Sequence, residues 1–279
     1  MDDNNKAARE AIARKKWEES TIQNNFVFGK TMEMYPNLCQ ILIEYILKTK
    51  IEGITYPERE KTLENRIDSR GVRLDVYVKD KDENVFDLEM QVSSSSDNLA
   101  KRMRYYQGVI DGDNLKRGEH YDSLKPVYII FICPFAPFKD FKRHIYTFQE
   151  RCMEEPSLLL LGSATNKIIL STKGTEDDVS PELKNFLDYV ETGIANDDYT
   201  KEMDNAVEVV KTNEKARLDF MGYEMDLLAR EIIGEKRGEK RGEKRGREEM
   251  RKEMNSIISQ KDAEIMALKK QIAMMSTNA

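Results

Sequence analysis

The sequence predicts a mixed α/β fold, an α+β arrangement in which a mixed sheet is covered by helices, followed by a helical C-terminal extension. Three observations carry this. The stretch "RLDVYVKDKDENVFDLEMQ", Arg73 to Gln91, alternates apolar and polar residues on either side of a charged turn, the pattern of a β-hairpin. "KPVYIIFICPF" is a continuous apolar run of the kind buried on both faces of a sheet. Helical periodicity brackets both, and from residue 180 onward the pattern is helical throughout.

Taken in order, residues 6–19 form a charged helical lead-in. Leu38, Ile41, Leu42, Tyr45 and Ile46 recur at helical spacing and predict a buried helix over about 37–49. "ITYPEREKTLE" is extended, and Pro57 argues against a central strand there. The hairpin occupies 72–92. "SSSSDN" is helix-start chemistry and leads into a helix over about 97–111. The apolar strand comes next, then two more strands in "HIYTFQERC" and "NKIILST".

The chain has 279 residues, 39% hydrophobic and 34% charged, enough for one sizeable core with much charge left for solvated helices. No run approaches the apolar length of a membrane-spanning helix, and "MDDNNKAARE" lacks a signal-peptide core, so no membrane association and a cytoplasmic location are expected. Three dispersed cysteines and two histidines fit neither a zinc site nor a disulfide framework. The formal net charge is −6, unevenly spread. Residues 91–151 carry ten basic against seven acidic side chains, 176–231 six against sixteen, and 232–279 twelve against eight. The acidity therefore belongs mainly to one segment, which leaves room for a basic surface elsewhere.

The hairpin carries the chemistry. Leu74, Val76, Val78, Phe86, Leu88, Met90 and Val92 share an apolar face that belongs against the core. Arg73, Asp75, Tyr77, Asp87, Glu89 and Gln91 share the other. A turn centred on Asp82 sets Asp75 opposite Glu89, Arg73 opposite Gln91 and Tyr77 opposite Asp87. Two carboxylates at about 5 Å repel by about 1 kcal/mol in water and about 3 kcal/mol at an effective dielectric near 20. A divalent cation between them reverses that sign, and Mg²⁺ suits one or two carboxylates with retained waters. A solvated acidic face is the other reading of the same pattern.

"RLDVYV" followed by "DLEMQ" resembles the core of the PD-(D/E)XK nuclease superfamily. More closely, it is similar to the recombination-promoting nuclease / putative transposase family (Rpn-like). "NNFVFGKTM", "RMRYYQGVID", "PVYIIFICPF", "IYTFQERC", "LKNFLDYV" and "NAVEVVKTNEKARLDFM" extend the likeness over roughly residues 20–222. The resemblance implies a restriction-endonuclease-like core and cleavage of double-stranded DNA with Mg²⁺ (or Mn²⁺). It implies Asp75 and Glu89 as catalytic, metal-binding acids, the Met90 backbone carbonyl as a further ligand, and Gln91 in the place of the usual lysine. Relatives tend to carry an acid where this chain has Asn25, a departure that bears on activity.

On the helix after the motif, Lys101, Arg102 and Arg104 are candidate DNA contacts, Lys101 and Arg104 sharing a face with Tyr105. An ordinary amphipathic helix is the competing reading, with Tyr106 packed in the core. The expected organisation is a charged N-terminal helix (1–21), a PD-(D/E)XK nuclease-like domain (22–175) and an acidic helical region packed on or beside it (176–233). A strained or frayed helical linker built on the GEKR repeat (234–249) and a coiled-coil-like helix (250–279) complete the chain. Met254, Ile258, Ile265, Leu268, Ile272 and Met275 form a short heptad seam suited to self-association, or a solvated tail with scattered apolar residues. Two functions remain in play: a metal-dependent DNA endonuclease, and a catalytically weak DNA-binding or self-assembling protein on the same fold.

Overall fold

The computed structural model describes residues 3–55, 58–63, 72–91, 99–160 and 165–277. Pro57, Val92, the helix-start stretch 93–98 and the side chains of Arg73, Ile272 and Met275 lie outside the described residues. The chain divides into two compact units, residues 12–221 and residues 1–11 together with 222–279.

In the larger unit, α1 (Asp3–Glu19) contributes its C-terminal half, followed by α2 (Asn25–Met34) and α3 (Pro36–Leu47). Strands β1 (Glu58–Leu63), β2 (Val72–Lys79) and β3 (Val85–Met90) come next, then α4 (Leu99–Asn114) and β4 (Val127–Cys133). Strands β5 (Ile145–Phe148) and β6 (Thr165–Ser171) complete a six-stranded sheet of order β1-β2-β3-β4-β6-β5. The β1–β2, β2–β3 and β5–β6 pairs are antiparallel, and β3–β4 and β4–β6 are parallel, so the sheet is mixed. β1 lies at an edge, in keeping with its charged sequence and the proline before it. Helices α5 (Pro181–Thr192) and α6 (Asp198–Thr212) belong to the same unit.

The hairpin register is as the sequence suggested. Val76 pairs with Leu88, Tyr77 with Asp87 and Lys79 with Val85, all centred on Asp82. The turn is pinned by Asp80, whose Oδ1 accepts from the N–H groups of Asp82 (3.0 Å) and Asn84 (2.9 Å). Glu83 takes the left-handed conformation needed to close it, with φ 64°.

The acid face is largely buried as well, with Tyr77, Asp87, Glu89 and Gln91 buried and Asp75 half-buried, which goes against the reading of a solvated acidic face. Helix α4 covers the face that carries the acids. Leu99, Met103, Tyr106, Val109 and Ile110 on α4 pack with Tyr77, Val85, Ile129 and Phe131 of the sheet in one cluster. The β2→β3→α4→β4 succession thus buries polar side chains inside an apolar layer, and each needs a partner there.

Helix α2, unforeseen as a separate element, starts where Asn24 Oδ1 accepts the N–H groups of Phe26 (3.0 Å) and Val27 (3.3 Å), an N-cap. Phe26 lies in an aromatic group with Trp17 (6.4 Å) and Phe220 (5.2 Å), which anchors this helix start. Helix α6 is tied to α3 by the Tyr199 hydroxyl, which donates to the Leu38 carbonyl at 3.0 Å.

Edge strand β5 is held by a second device. His144 is buried, its Nδ1 lies 3.0 Å from Asp178 Oδ1, and its backbone N–H donates to both oxygens of that carboxylate at 3.2 Å. Gly174 makes this approach feasible: a Cβ there would lie 2.5 Å from the His144 ring and 2.6 Å from its backbone nitrogen.

The smaller unit contains most of α7 (Glu214–Thr277), a single 64-residue helix. It is helical through the GEKR repeat, as expected of a helical linker, and has no break there. Oppositely charged i,i+4 partners support its C-terminal end: Glu243 pairs with Arg247 (3.5 Å), Lys244 with Glu248 (4.0 Å) and Arg245 with Glu249 (3.6 Å). At about 0.2–0.5 kcal/mol each, these pairs recover part of the glycines' helix cost at the C-terminal end of the repeat. Among the described residues, no helix is long and apolar enough to cross a membrane.

Candidate active site

Antiparallel pairing of β2 and β3 brings Asp75 and Glu89 together where the hairpin meets α2 and α4. The backbone pairing runs to Val76–Leu88, and next to it side chains bridge the two strands. Glu89 Oε1 accepts the Asp75 backbone N–H at 2.9 Å, and Asp75 Oδ2 accepts the Met90 backbone N–H at 3.1 Å. Asp75 Oδ1 receives a long contact from Asn25 Nδ2, at 3.4 Å, from the first residue of α2. Asn25, where the resemblance implied an acid, therefore stands beside Asp75.

Glu89 is almost fully buried, and Asp87, two residues earlier on the same face, is fully so. No donor reaches either Asp87 oxygen among the described residues. Burial first, and the Asp75 charge second, push the Asp87 carboxyl well above the ordinary carboxylate range. Glu89 is driven the same way by burial, then by Asp75 and Asp87, while the Asp75 N–H and Arg102 pull it back. Protonation of either acid would let Asp87 and Glu89 share a hydrogen bond, which as two carboxylates they cannot. Burial thus favours the protonated forms of Asp87 and Glu89 when no cation is present, and a cation beside Asp75 and Glu89 would favour the ionised forms.

Arg102 supplies one positive charge. Its Nη2 donates to Glu89 Oε2 at 3.2 Å and approaches the Tyr106 hydroxyl at 2.9 Å, and its Nη1 donates to Gln91 Oε1. The guanidinium lies 5.4 Å from the Tyr106 ring centre and 5.1 Å from that of Phe131. Arg102, a candidate DNA contact, has a side chain that is about a third exposed and bonded to Glu89 of the acid cluster. Lys101 and Arg104 are exposed on the outer face of α4. Tyr106 is buried as expected, with its hydroxyl beside Arg102 and 3.5 Å from Glu89 Oε2. Met90 sits in the parallel ladder opposite Ile132.

A divalent cation fits this donor set. Two carboxylates meet at the hairpin end, and a third, unpartnered and dehydrated, lies beside them. Among the described residues, no group of three or more acidic, histidine or cysteine side chains is placed to hold a metal ion, so the side-chain ligands on offer are the pair Asp75 and Glu89. That suits an ion that keeps waters and takes one or two carboxylates.

The register and the pair Asp75–Glu89 were legible in the alternation of the hairpin. Asp87 was visible on the same face but carried no assigned role, although its i, i+2 relation to Glu89 was a usable signal. The inward turn of Arg102 and the ring of Phe131 were not readable, because they depend on how α4 crosses the sheet.

Residues 25–155 match the family model described as PD-(D/E)XK nuclease family transposase, a shorter span than the likeness over 20–222. No curated protein and no solved structure gives a match.

Proposed function

With residues 25–155 belonging to the PD-(D/E)XK nuclease family transposases, and so to a restriction-endonuclease-like fold, we propose that this chain is a metal-dependent endonuclease that hydrolyses phosphodiesters in double-stranded DNA. The observation that carries the reading is the convergence of Asp75 and Glu89 at the hairpin end, beside the buried and unpartnered Asp87. Asp75, Glu89 and the Met90 carbonyl would hold Mg²⁺ or Mn²⁺. When bound, the ion would acidify water and neutralise charge developing on the phosphate.

The chain's own residues set the conditions. The Asp75 and Met90 N–H groups fix the two carboxylates, so they need not reorganise during reaction. Asn25 orients Asp75 without adding charge. Gln91 offers an amide where a lysine is usual. Lys101 and Arg104 would contact DNA phosphates beside the site, positioning the duplex without reading its sequence. The division of labour would be a nuclease domain over 22–175, the acidic helices of 176–233 bracing it, the repeat of 234–249 as a spacer, and 250–279 as a self-association helix. Recombination, mobile-element movement and defence are the processes such an activity serves.

Asn25 supports a second reading. An amide rather than an acid beside Asp75 lowers the negative charge available to the ion, as a catalytically weak DNA-binding protein would tolerate. Supercoiled plasmid incubated with the purified protein and Mg²⁺, Mn²⁺ or EDTA separates the two. Nicking that needs the metal and stops with EDTA is the expected result. DNA binding without nicking under any metal would favour the second reading.

A further inference from the structure

We propose that the turn from Phe138 to Arg143 is a DNA-binding element in which Phe141 stacks on an unpaired base, so that the preferred substrate is duplex DNA carrying unpaired bases, as at a fork or flap. The inference rests on the nuclease reading and names the DNA structure that the same site takes.

Topology places the turn. Strands β3 and β4 are parallel, with Glu89 opposite Phe131 and Met90 opposite Ile132, and the Gln91 N–H donates to the Ile132 carbonyl at 2.8 Å. The chain that leaves β4 after Cys133 therefore leaves the sheet at the end where Asp75 and Glu89 meet. It also stays on their face. Phe135 and Phe138 pack against the cluster that Met103 and Tyr106 of α4 form with Phe131 and Cys133 of β4. Glu89 lies on that face too, since residues opposite one another in a ladder project to the same side.

The turn is anchored on both flanks. Phe138 points inward, its ring 4.8 Å from that of Tyr146 and 6.0 Å from that of Phe148. The Phe141 N–H donates to the Phe138 carbonyl at 3.4 Å. The Lys142 carbonyl accepts the N–H groups of Thr175 (2.8 Å) and Glu176 (3.2 Å), and the Arg143 N–H donates to the Tyr146 hydroxyl at 3.0 Å. Between these anchors the Phe141 side chain is 63% exposed. A lone exposed phenyl group is ordinary on a protein surface. This one stands on a fixed turn, at the acid end of the sheet, between the exposed Lys139 and Lys142.

The chemistry of the turn favours a base over a plain phosphate contact. Asp140 offsets one lysine, and Arg143 is paired with Glu176 (3.5 Å) and Asp178 (3.7 Å). The pull on the DNA backbone is therefore modest, and the ring supplies the selectivity. A phenyl face stacks on any base. A paired base is already stacked, and reaching it costs the unstacking of a step, whereas an unpaired base carries no such cost. A ring held on an anchored turn also loses little freedom when it binds.

Fluorescence anisotropy on the full chain, with Ca²⁺ in place of Mg²⁺, compares a labelled forked duplex with a fully paired duplex of the same length. Wild type should bind the fork about tenfold more tightly, the scale of one base–aromatic stack. Phe141→Ala should lose that preference and Phe141→Trp should keep it, both melting as wild type does because the position is exposed. Lys139→Ala with Lys142→Ala should weaken both DNAs alike and reduce the salt slope by about one for each lysine. Equal wild-type affinity for fork and duplex overturns the proposal. So does a Phe141→Ala chain that keeps the preference, or a tryptophan variant that loses as much as the alanine one. Plasmid nicking with Mg²⁺ keeps the two readings apart. A wild type that nicks but does not prefer the fork overturns this inference alone, and one that prefers the fork but never nicks overturns the nuclease reading alone.

Discussion

Asp75 and Glu89 hold each other's strands: Glu89 Oε1 accepts the Asp75 N–H at 2.9 Å, and Asp75 Oδ2 accepts the N–H of Met90, the residue after Glu89, at 3.1 Å. The two acids therefore act as structural acceptors and as a charge pair, and substitutions can separate these roles. Glu89→Gln keeps an oxygen for the Asp75 N–H but sets an amide nitrogen against the Arg102 guanidinium, so it should fold with lower stability than wild type and lose nicking by about 100-fold or more. Glu89→Ala and Asp75→Ala should lose nicking and also melt lower without metal, because a buried N–H is left without its acceptor. Wild type should gain melting temperature on adding Mg²⁺, since a ligand of the folded state stabilises it, and all three variants should lose that gain. Differential scanning fluorimetry with and without EDTA reads this. A Glu89→Gln protein that nicks like wild type would remove Glu89 from the site.

Asp87 allows a cleaner test of the charge cluster, because among the described residues only a proton shared with Glu89 offsets its burial. Its carboxyl and that of Glu89 are raised above the ordinary range, chiefly by burial. Between the unfolded-state value near 4 and the raised folded-state value, the folded protein holds protons that the unfolded chain has released. Metal-free stability should therefore fall as pH rises through that window, and level off above it. Asp87→Asn removes one such group and gives Glu89 an amide donor. It should stabilise the metal-free protein at pH 8 by on the order of 1–3 kcal/mol and flatten the decline. Urea melts in EDTA at pH 5 and pH 8 check it. If Asp87→Asn is less stable than wild type at pH 8, the carboxylate has a partner and the cluster is misdrawn.

How much of this was in the sequence depends on what each feature needs. Period-two alternation and the Asp80–Asn84 turn are local, so the hairpin register could be read to the residue. The apolar run of β4 required burial on both sides, which it has. The seclusion of the acid face could not be read, since it depends on α4 laying Met103 and Tyr106 across Tyr77 and Phe131. Arg102 looked like a surface cation for the same reason: one helix position was legible, but not the rotation that turns it inward. Helix α2 went unseen because its apolar residues run together in "FVF" and its start is signalled only by Asn24.

The His144–Asp178 anchor gives a prediction remote from the acids. Gly174 has no positive φ to require glycine, so its constraint is space: a Cβ would meet the His144 ring at 2.5 Å and its Cα at 2.7 Å. Backbone as well as side chain must move. Gly174→Ala should cost about 1–3 kcal/mol, the usual scale for overpacking, while leaving the metal-dependent gain in melting temperature intact. Chemical denaturation measures the first and fluorimetry with Mg²⁺ the second. An alanine variant as stable as wild type would mean that β5 is held loosely enough to shift aside.

The exposed apolar residues of α7 lead to the last prediction, that this helix pairs two chains. Met254, Ile258, Ile265 and Leu268 are all exposed, and Ile258 and Ile265 are seven residues apart, one heptad, with Ile272 at the next such position. Two single-site nucleases joined this way could cut both strands of one duplex. The repeat makes the arrangement adjustable. Removing one four-residue GEKR unit shortens a helix by about 6 Å and turns the C-terminal remainder of the helix by about 40°. Because α7 is continuous through the repeat, that change would reach the seam rather than be absorbed in a loose linker. In the full-length chain, Ile258→Lys with Ile265→Lys should convert a dimer to a monomer in light scattering at micromolar concentration. It should also lower the yield of linear over nicked plasmid, with the rate of the first nick nearly unchanged. Deleting one GEKR unit should leave the dimer intact but alter the linear-to-nicked ratio. A wild-type chain that is monomeric, or a lysine variant that dimerises as tightly as wild type, would show that this face of α7 is not the pairing element.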